Sequence, residues 1–294
     1  MKKLLTILLA FIMALSLTAC GDDYEGKTPD EIYQEMIEES AKNSPFTEVS
    51  IDEQVILDQD DVKVTVTGIN AKTTVPTLDL LIENNTDKAI CVYANDCSIN
   101  GIMVEGMLGN NITPGNKLNS GLSFSPSELT ICGITTIKDI EFTLEVKDID
   151  DDNKKTRTKS DVISLTTSAS SFKQEYDDSG YVAYDENDIK VVVKKVSDET
   201  SFWGSQVVFY VENNTDNTIV VQIDDEAVNG FMVNSTFYCN VPSGKRAFDN
   251  VVFYEHIFEE NKITDVEEFQ ASIEICESET YDTIAKTDII KVEF

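Results

Sequence analysis

The sequence predicts an all-β protein: two tandem antiparallel β-sandwiches behind an N-terminal leader and one short helix. Three observations lead there. From about residue 50 onward, apolar residues alternate with polar ones, as in Val62, Val64, Val66, in Phe142, Leu144, Val146, and again in Ile189, Val191, Val193 and Phe269, Ala271, Ile273, Ile275. Period two in stretches rich in Val, Ile, Phe and Thr marks strands with one buried face. The chain also repeats itself: Leu81-Ile82-Glu83-Asn84-Asn85-Thr86-Asp87 returns as Tyr210-Val211-Glu212-Asn213-Asn214-Thr215-Asp216, and Asn100-Gly101 with Met103-Val104 returns as Asn229-Gly230 with Met232-Val233, both at an offset of 129 residues. Finally, turn signals recur about every ten residues, the rhythm of a sandwich of short strands.

Residues 1–19 form the leader. Lys2 and Lys3 supply a charged start, Leu4 to Leu15 an apolar run, and small residues close it ahead of Cys20, the make-up of a secretory signal peptide. A membrane-spanning helix needs about 20 apolar residues, and this run stops at Cys20 before Asp22-Asp23. Leu17-Thr18-Ala19-Cys20 resembles the lipobox of bacterial lipoproteins, a likeness that covers residues 1–21. It implies cleavage before Cys20, lipidation of its thiol, and membrane lipid as the first partner, since several acyl chains hold where one does not. The expected location is the cell membrane, lipid-anchored, on the extracytoplasmic face.

Residues 20–49 form a tether with a short helix over about 29–42. Thr28 is a natural N-cap, Pro29 suits the first helical position and Glu31 completes a capping box. Ile32, Tyr33, Met36 and Ile37 then fall on one stripe. That stripe either docks on a neighbour or belongs to a stalk, because an isolated helix of this length is marginal in water.

The first copy is expected over 50–167, a polar linker over 168–180 and the second copy over 181–294. Each has about the length that supports its own core. Weaker echoes, Asp61-Val62-Lys63-Val64 against Asp188-Ile189-Lys190-Val191 and Lys159-Ser160-Asp161 against Lys286-Thr287-Asp288, come at an offset of 127, so small length changes separate the aligned blocks. The Asn-Gly pairs signal hairpins, since both central positions of a type I′ turn need positive φ. The Asn-Asn-Thr-Asp tetrads read as strand-closing turns whose side chains bond their own backbone and tolerate left-handed geometry.

These residues resemble the uncharacterised immunoglobulin-like domains of lipoproteins from Gram-positive, clostridia-like bacteria. The resemblance rests on the strand ending Glu-Asn-Asn-Thr-Asp, an apolar strand, Asn-Gly-x-Met-Val, and a Pro-x-Gly-Lys turn. Copy two carries the whole pattern, with Pro242-Ser243-Gly244-Lys245 and an upstream Phe202-Trp203-Gly204; copy one has Pro114-Gly115-Asn116-Lys117 and no Trp-Gly. The likeness implies an immunoglobulin-like fold and supplies no catalytic residues.

Charge narrows the partners. The chain has a net charge of −31, and loss of residues 1–19 removes two lysines and no acid, leaving 21 basic against 54 acidic residues, or −33. Such a field repels nucleic acid. His256 is the only histidine, and its setting, Phe253-Tyr254-Glu255-His256-Ile257-Phe258, reads as a strand or its end. A Ser-His-Asp or Cys-His centre would have to use this residue, and no Cys-x-x-Cys pair offers zinc ligands. No catalytic residue, metal ligand or cofactor is therefore assigned. Five cysteines follow the anchor, Cys91, Cys97, Cys132, Cys239 and Cys276; a Cys91–Cys97 bridge and buried free thiols both fit. Asp148, Asp150 and Asp152 have the first, third and fifth spacing of a calcium loop, but Asn153 replaces the turn glycine and Lys159 stands at position twelve, where the loop needs Glu. Asp224-Asp225-Glu226 and Asp58-Gln59-Asp60-Asp61 are further oxygen-rich runs.

The function expected from these features is that of a non-catalytic interaction or binding module at the cell surface, meeting a protein or glycan. The alternative is a lipoprotein that binds a small ligand or a cation such as calcium, with Trp203, Tyr210 and Tyr238 as aromatic walls of a pocket.

Overall fold

The computed structural model describes residues 41–42, 44–149, 155–196 and 206–294. The leader, Cys20, most of the expected helix, Asp150 and Asp152 of the acidic loop, and Trp203 lie outside the described residues; Ala41 and Lys42 are helical. The chain divides into two compact units. The first runs up to Cys97 and includes Glu105–Thr130 and Ile134–Lys173; the second comprises Gln174–Phe294 with Ser98–Val104 and Ile131–Gly133.

The first copy of the repeat contains β1 (Gln54–Gln59), β2 (Val62–Asn70), β3 (Thr77–Asn84), β4 (Ile90–Ile99), β5 (Ile102–Met103), β6 (Gly106–Met107), β7 (Gly109–Ile112) and β8 (Lys117–Phe124), then helix α1 (Pro126–Ile131), β9 (Asp139–Asp148), β10 (Thr156–Lys159) and β11 (Ile163–Thr166). One sheet has the order β1-β2-β3-β8-β6, and the other the order β10-β9-β4, with β11 also pairing β9 and β7 pairing β4. Alternation sets which side faces the core: in β3, Leu78, Leu80 and Ile82 are buried while the residues between them are partly exposed.

The second copy contains β12 (Tyr181–Glu186), β13 (Ile189–Val196), β14 (Gln206–Asn213), β15 (Ile219–Val228), β16 (Phe231–Met232), β17 (Ser235–Thr236), β18 (Tyr238–Val241), β19 (Arg246–Asn250) and β20 (Val252–Phe253), then α2 (Glu255–Asn261), β21 (Glu268–Glu277), β22 (Thr283–Lys286) and β23 (Ile290–Glu293). Strands β12-β13-β14-β19 lie side by side in one sheet, where β19 also pairs in parallel with β5 at Arg246 and Ile102, and β16-β15-β21-β22 form the other, with β18 also on β15 and β23 also on β21. One core joins them: Phe209 of β14 packs 4.5 Å from Phe237 and edge-on to Phe269 of β21 at 6.2 Å. The fold class is the expected one, all-β with mainly antiparallel sheets packed as sandwiches.

The duplication extends to individual hydrogen bonds. Asn84 is fully buried; its amide donates to the carbonyls of Lys88 (2.8 Å) and Ile112 (2.9 Å), and its oxygen accepts the N–H of Thr86 (3.0 Å). Asn213 does the same with Asn217 (2.8 Å), Val241 (2.8 Å) and Thr215 (3.0 Å). A buried amide is tolerated only when its polar atoms are satisfied, and here it ties a strand end, a turn and a neighbouring strand together. The tetrads are thus the turns they were read as, although none of their residues has positive φ. The change of offset to 127 also has a place. The N–H of Ser160 donates to the Leu144 carbonyl and that of Thr287 to Ile273, both at 2.9 Å, so two residues are lost in copy two between β21 and β22.

Both Asn-Gly pairs have positive φ at each position, Asn100 (54°) with Gly101 (82°) and Asn229 (50°) with Gly230 (79°), as a type I′ hairpin requires. Asp60-Asp61 (50° and 61°) and Asn187-Asp188 (54° and 59°) form the same turn between β1 and β2 and between β12 and β13. The oxygen-rich Asp58–Asp61 run is therefore the end of β1 and its hairpin turn. One expectation fails outright: His256 lies on helix α2, beyond the strand, which stops at Phe253. Tyr254 occupies the N-cap without a side-chain cap, so the polar cap residue by which a sequence announces a helix is missing.

Candidate functional site

The exposed aromatic side chains among the described residues, Tyr181, Phe231, Tyr238, Tyr254, Tyr281 and Phe294, all belong to the second unit. Two structural devices arrange part of this surface. In β15 two residues, Asp225 and Glu226, oppose one on β21, and Asp225 takes a φ of 57°; such a bulge turns side chains away from the strand's regular alternation. Then β16 follows the Asn229-Gly230 turn and leaves Phe231 45% and Met232 69% exposed, whereas Ile102 at the equivalent place in the first copy is fully buried.

Bulge, hairpin and helix α2 enclose a shallow depression of about 420 Å³. Carboxylates line it from Asp225, Glu226 and Glu260, together with His256 and an apolar lip from Met232. Glu226 accepts a hydrogen bond from the Ser235 hydroxyl at 3.0 Å, and the His256 ring lies 6.0 Å from that of Tyr254. The repeat explains the helix: the Ile263 N–H caps it on the Phe258 carbonyl at 2.9 Å, as Ile134 does on Leu129 at 2.8 Å in copy one. The acidic run and the lone histidine were each visible in the sequence, but only the helix joins them. Such a lining suits a polar or cationic group. Among the described residues no set of three or more His, Cys, Asp or Glu side chains is arranged to hold a metal ion.

Of the three aromatic residues expected to line one pocket, Tyr210 and Tyr238 are not brought together. Trp203 lies outside the described residues. Tyr210 is 1% exposed, its ring centroid 5.0 Å from that of Phe248 and its hydroxyl donating to Glu212 at 2.8 Å. Burial pushes its phenol up, with the Glu212 carboxylate adding to the rise. Arg246 closes the network, donating to Glu212 at 2.6 Å and to the Tyr210 hydroxyl at 3.2 Å, with its guanidinium 4.2 Å from the centre of the Tyr176 ring. The first copy carries the matching pair Lys117–Glu83, so this ion pair belongs to the shared framework. Tyr210 is an interior strut, and it sits in the other sheet from Tyr238.

Tyr238, unlike Tyr210, is an open surface residue, 49% exposed. The hydroxyl of Tyr281 beside it, with burial adding less, holds its phenol above the ordinary tyrosine range. Tyr281 was missed by sequence reasoning because it sits in the turn between β21 and β22 with a φ of 58°, a conformation an aromatic residue does not advertise. Cys91, Cys97, Cys132, Cys239 and Cys276 are buried thiols, none of them in a disulfide. Burial pushes the Cys97 thiol up to about 12, which leaves it without thiolate reactivity at neutral pH. Asp148, the first residue of the calcium-like spacing, is held by Arg157 at 2.7 Å and Lys88 at 3.5 Å.

No family model matches the chain, and no curated protein matches it. Among solved structures it is similar to the CsuC–CsuE chaperone–tip adhesion subunit pre-assembly complex from the archaic chaperone–usher Csu pili of Acinetobacter baumannii, at 10% identity over 73% of this chain and 90% of that one, with a TM-score of 0.21. It is also similar to a protein of unknown function from Porphyromonas gingivalis W83, at 11% identity over 75% of this chain and 91% of that one, with a TM-score of 0.19.

Proposed function

We propose that this chain is a lipid-anchored extracytoplasmic lipoprotein whose tandem sandwiches form a non-catalytic interaction module. Acylated Cys20 holds it in the membrane, and the second unit meets a protein or glycan at the cell surface. The observation that carries the reading is the unequal exposure of the two hairpins built on one repeat: Ile102 is fully buried, while Phe231 and Met232 stand in solvent beside an acidic depression. Apolar side chains grouped on a polar-rimmed surface mark interaction sites. The leader and the excess of 54 acids over 23 bases support export and exclude nucleic acid as a partner.

Two arms of one experiment test this. Cys20→Ala moves the chain from the membrane to the soluble fraction; a chain that stays membrane-bound rejects the anchor. In cells, a photocrosslinker at Met232 gives a discrete adduct that the same crosslinker at Val162, 64% exposed in the first unit, does not. Matching adduct patterns at the two positions reject the interaction surface. A second reading, a small polar ligand held in the depression, is favoured by its three carboxylates and would show as the loss of the Met232 adduct on adding that ligand.

A further inference from the structure

We propose that the outward ring faces of Tyr238 and Tyr281 bind lysine side chains of a basic partner peptide. The first unit contains the precedent. On its β4, Tyr93 is capped by Lys147 of the same chain, whose ammonium lies 5.4 Å from the ring centroid and 3.1 Å from Glu145. Ring, cation and carboxylate make one cation–π site on the outer face of a sheet.

The offset of 129 carries this site to the second unit. Glu145 becomes Glu274, but Lys147 becomes Cys276, a buried thiol. The tyrosine moves one strand across. Gln222 replaces Tyr93, and Tyr238 stands directly opposite Gln222 in the β15–β18 register, while Glu274 stands opposite Gln222 on the other side. Tyr281 joins from the turn, which the Ser278 hydroxyl ties to β18 by donating to Asn240, two residues past Tyr238, at 3.2 Å. The aromatic surface has grown to two half-exposed rings, 49% and 59%, and its own cation has been removed.

Nothing in the second unit takes the lysine's place. Among the described residues no Lys or Arg stands over either ring, and the nearby Lys286 is engaged by Asp224 at 2.9 Å and Glu274 at 3.2 Å. The turn that carries Tyr281 brings Glu277, Glu279 and Asp282 and no basic residue. Aromatic faces on an acidic stretch of surface favour an ammonium group over an anion or a neutral group. A peptide presents several such groups in sequence, matching two adjacent rings.

This names the partner chemistry of the interaction module proposed above and rests on that reading, yet it fails separately from it, since neither Cys20 nor Met232 enters the test. Hexalysine is titrated calorimetrically into the full-length chain at about 0.15 M salt, where distant surface charges are largely screened. The unaltered chain binds. The pair Tyr238→Ala with Tyr281→Ala lowers affinity about tenfold, the worth of two half-exposed ring contacts. The pair Tyr238→Phe with Tyr281→Phe holds it within about twofold, because the ring and not the hydroxyl makes the contact. Thermal unfolding checks that both pairs remain folded. The proposal is overturned if hexalysine does not bind, if the alanine pair binds it as the unaltered chain does, if the phenylalanine pair loses as much as the alanine pair, or if chitotetraose binds in preference to hexalysine.

Discussion

Asp249 on β19 stands opposite Phe209 in the strand register and so shares the face of that core residue. Burial pushes its carboxyl above the ordinary range, and the one hydrogen bond it accepts, from the Asn250 N–H at 2.9 Å, offsets only part of the rise. Glu212 in the neighbouring strand is also raised by burial, but hydrogen bonds from Asn214 and Tyr210 and the charge of Arg246 outweigh it and hold its carboxyl low. The two signs have opposite consequences. Glu212 contributes stability above the ordinary carboxylate pKa, and this is lost as pH falls through its lowered folded value. Asp249 opposes folding once ionised, a penalty absent below the ordinary value and complete above its raised one. Asp249→Asn keeps the acceptor and removes the charge, so it should raise the midpoint of thermal unfolding at pH 7, with the gain vanishing below about pH 4. A gain of the same size at both pH values would assign it to packing. In the sequence both residues are simply two of 54 acids; their roles depend on a cross-strand partner that composition does not reveal.

At the scale of elements, what the sequence showed best was what depends on few neighbouring residues. The Asn-Gly hairpins were legible because positive φ at two successive positions restricts the residue types so strongly. Asp60-Asp61 adopts the same turn with residues that also suit a cation, so the charge obscured the geometry. The β15 bulge and helix α2 were not legible: a bulge interrupts period two by one residue, and α2 has no polar cap. Tyr210 was misread as a pocket wall because alternation tells which residues share a face, not whether that face is covered. Gly230 provides a quantitative check. A Cβ added there meets nothing within 4 Å, so Gly230→Ala isolates the backbone cost of positive φ, about 1–2 kcal/mol. Gly230→Asn, which tolerates that region, should cost clearly less. Urea unfolding of both variants measures the difference; equal losses would mean that the turn can relax to another type, since Asn229 is itself held by bonds to Asp265, Glu267 and Glu268 at 2.8–3.0 Å.

For the whole molecule, net charge and local ion pairs make opposite predictions for added salt. Even if all 23 basic residues were paired, 31 of the 54 acids would remain uncompensated. The pairs themselves are mostly at the surface; Lys286 and Asp224, for example, are 2.9 Å apart with side chains 48% and 55% exposed. Such exposed pairs contribute little, and salt weakens them together with the repulsion. Repulsion among the surplus acids acts over longer distances, so it is relieved first as the screening length shrinks from about 30 Å at 0.01 M to about 3 Å at 1 M. The surplus should therefore dominate, and the midpoint of thermal unfolding should rise by several degrees between 0.01 and 0.5 M sodium chloride, with potassium chloride giving the same curve. A midpoint that falls would show that paired charges outweigh the surplus. A rise obtained with millimolar calcium but not with either monovalent salt would place the effect at a discrete cation site, and would favour the ligand-binding reading over the interaction module.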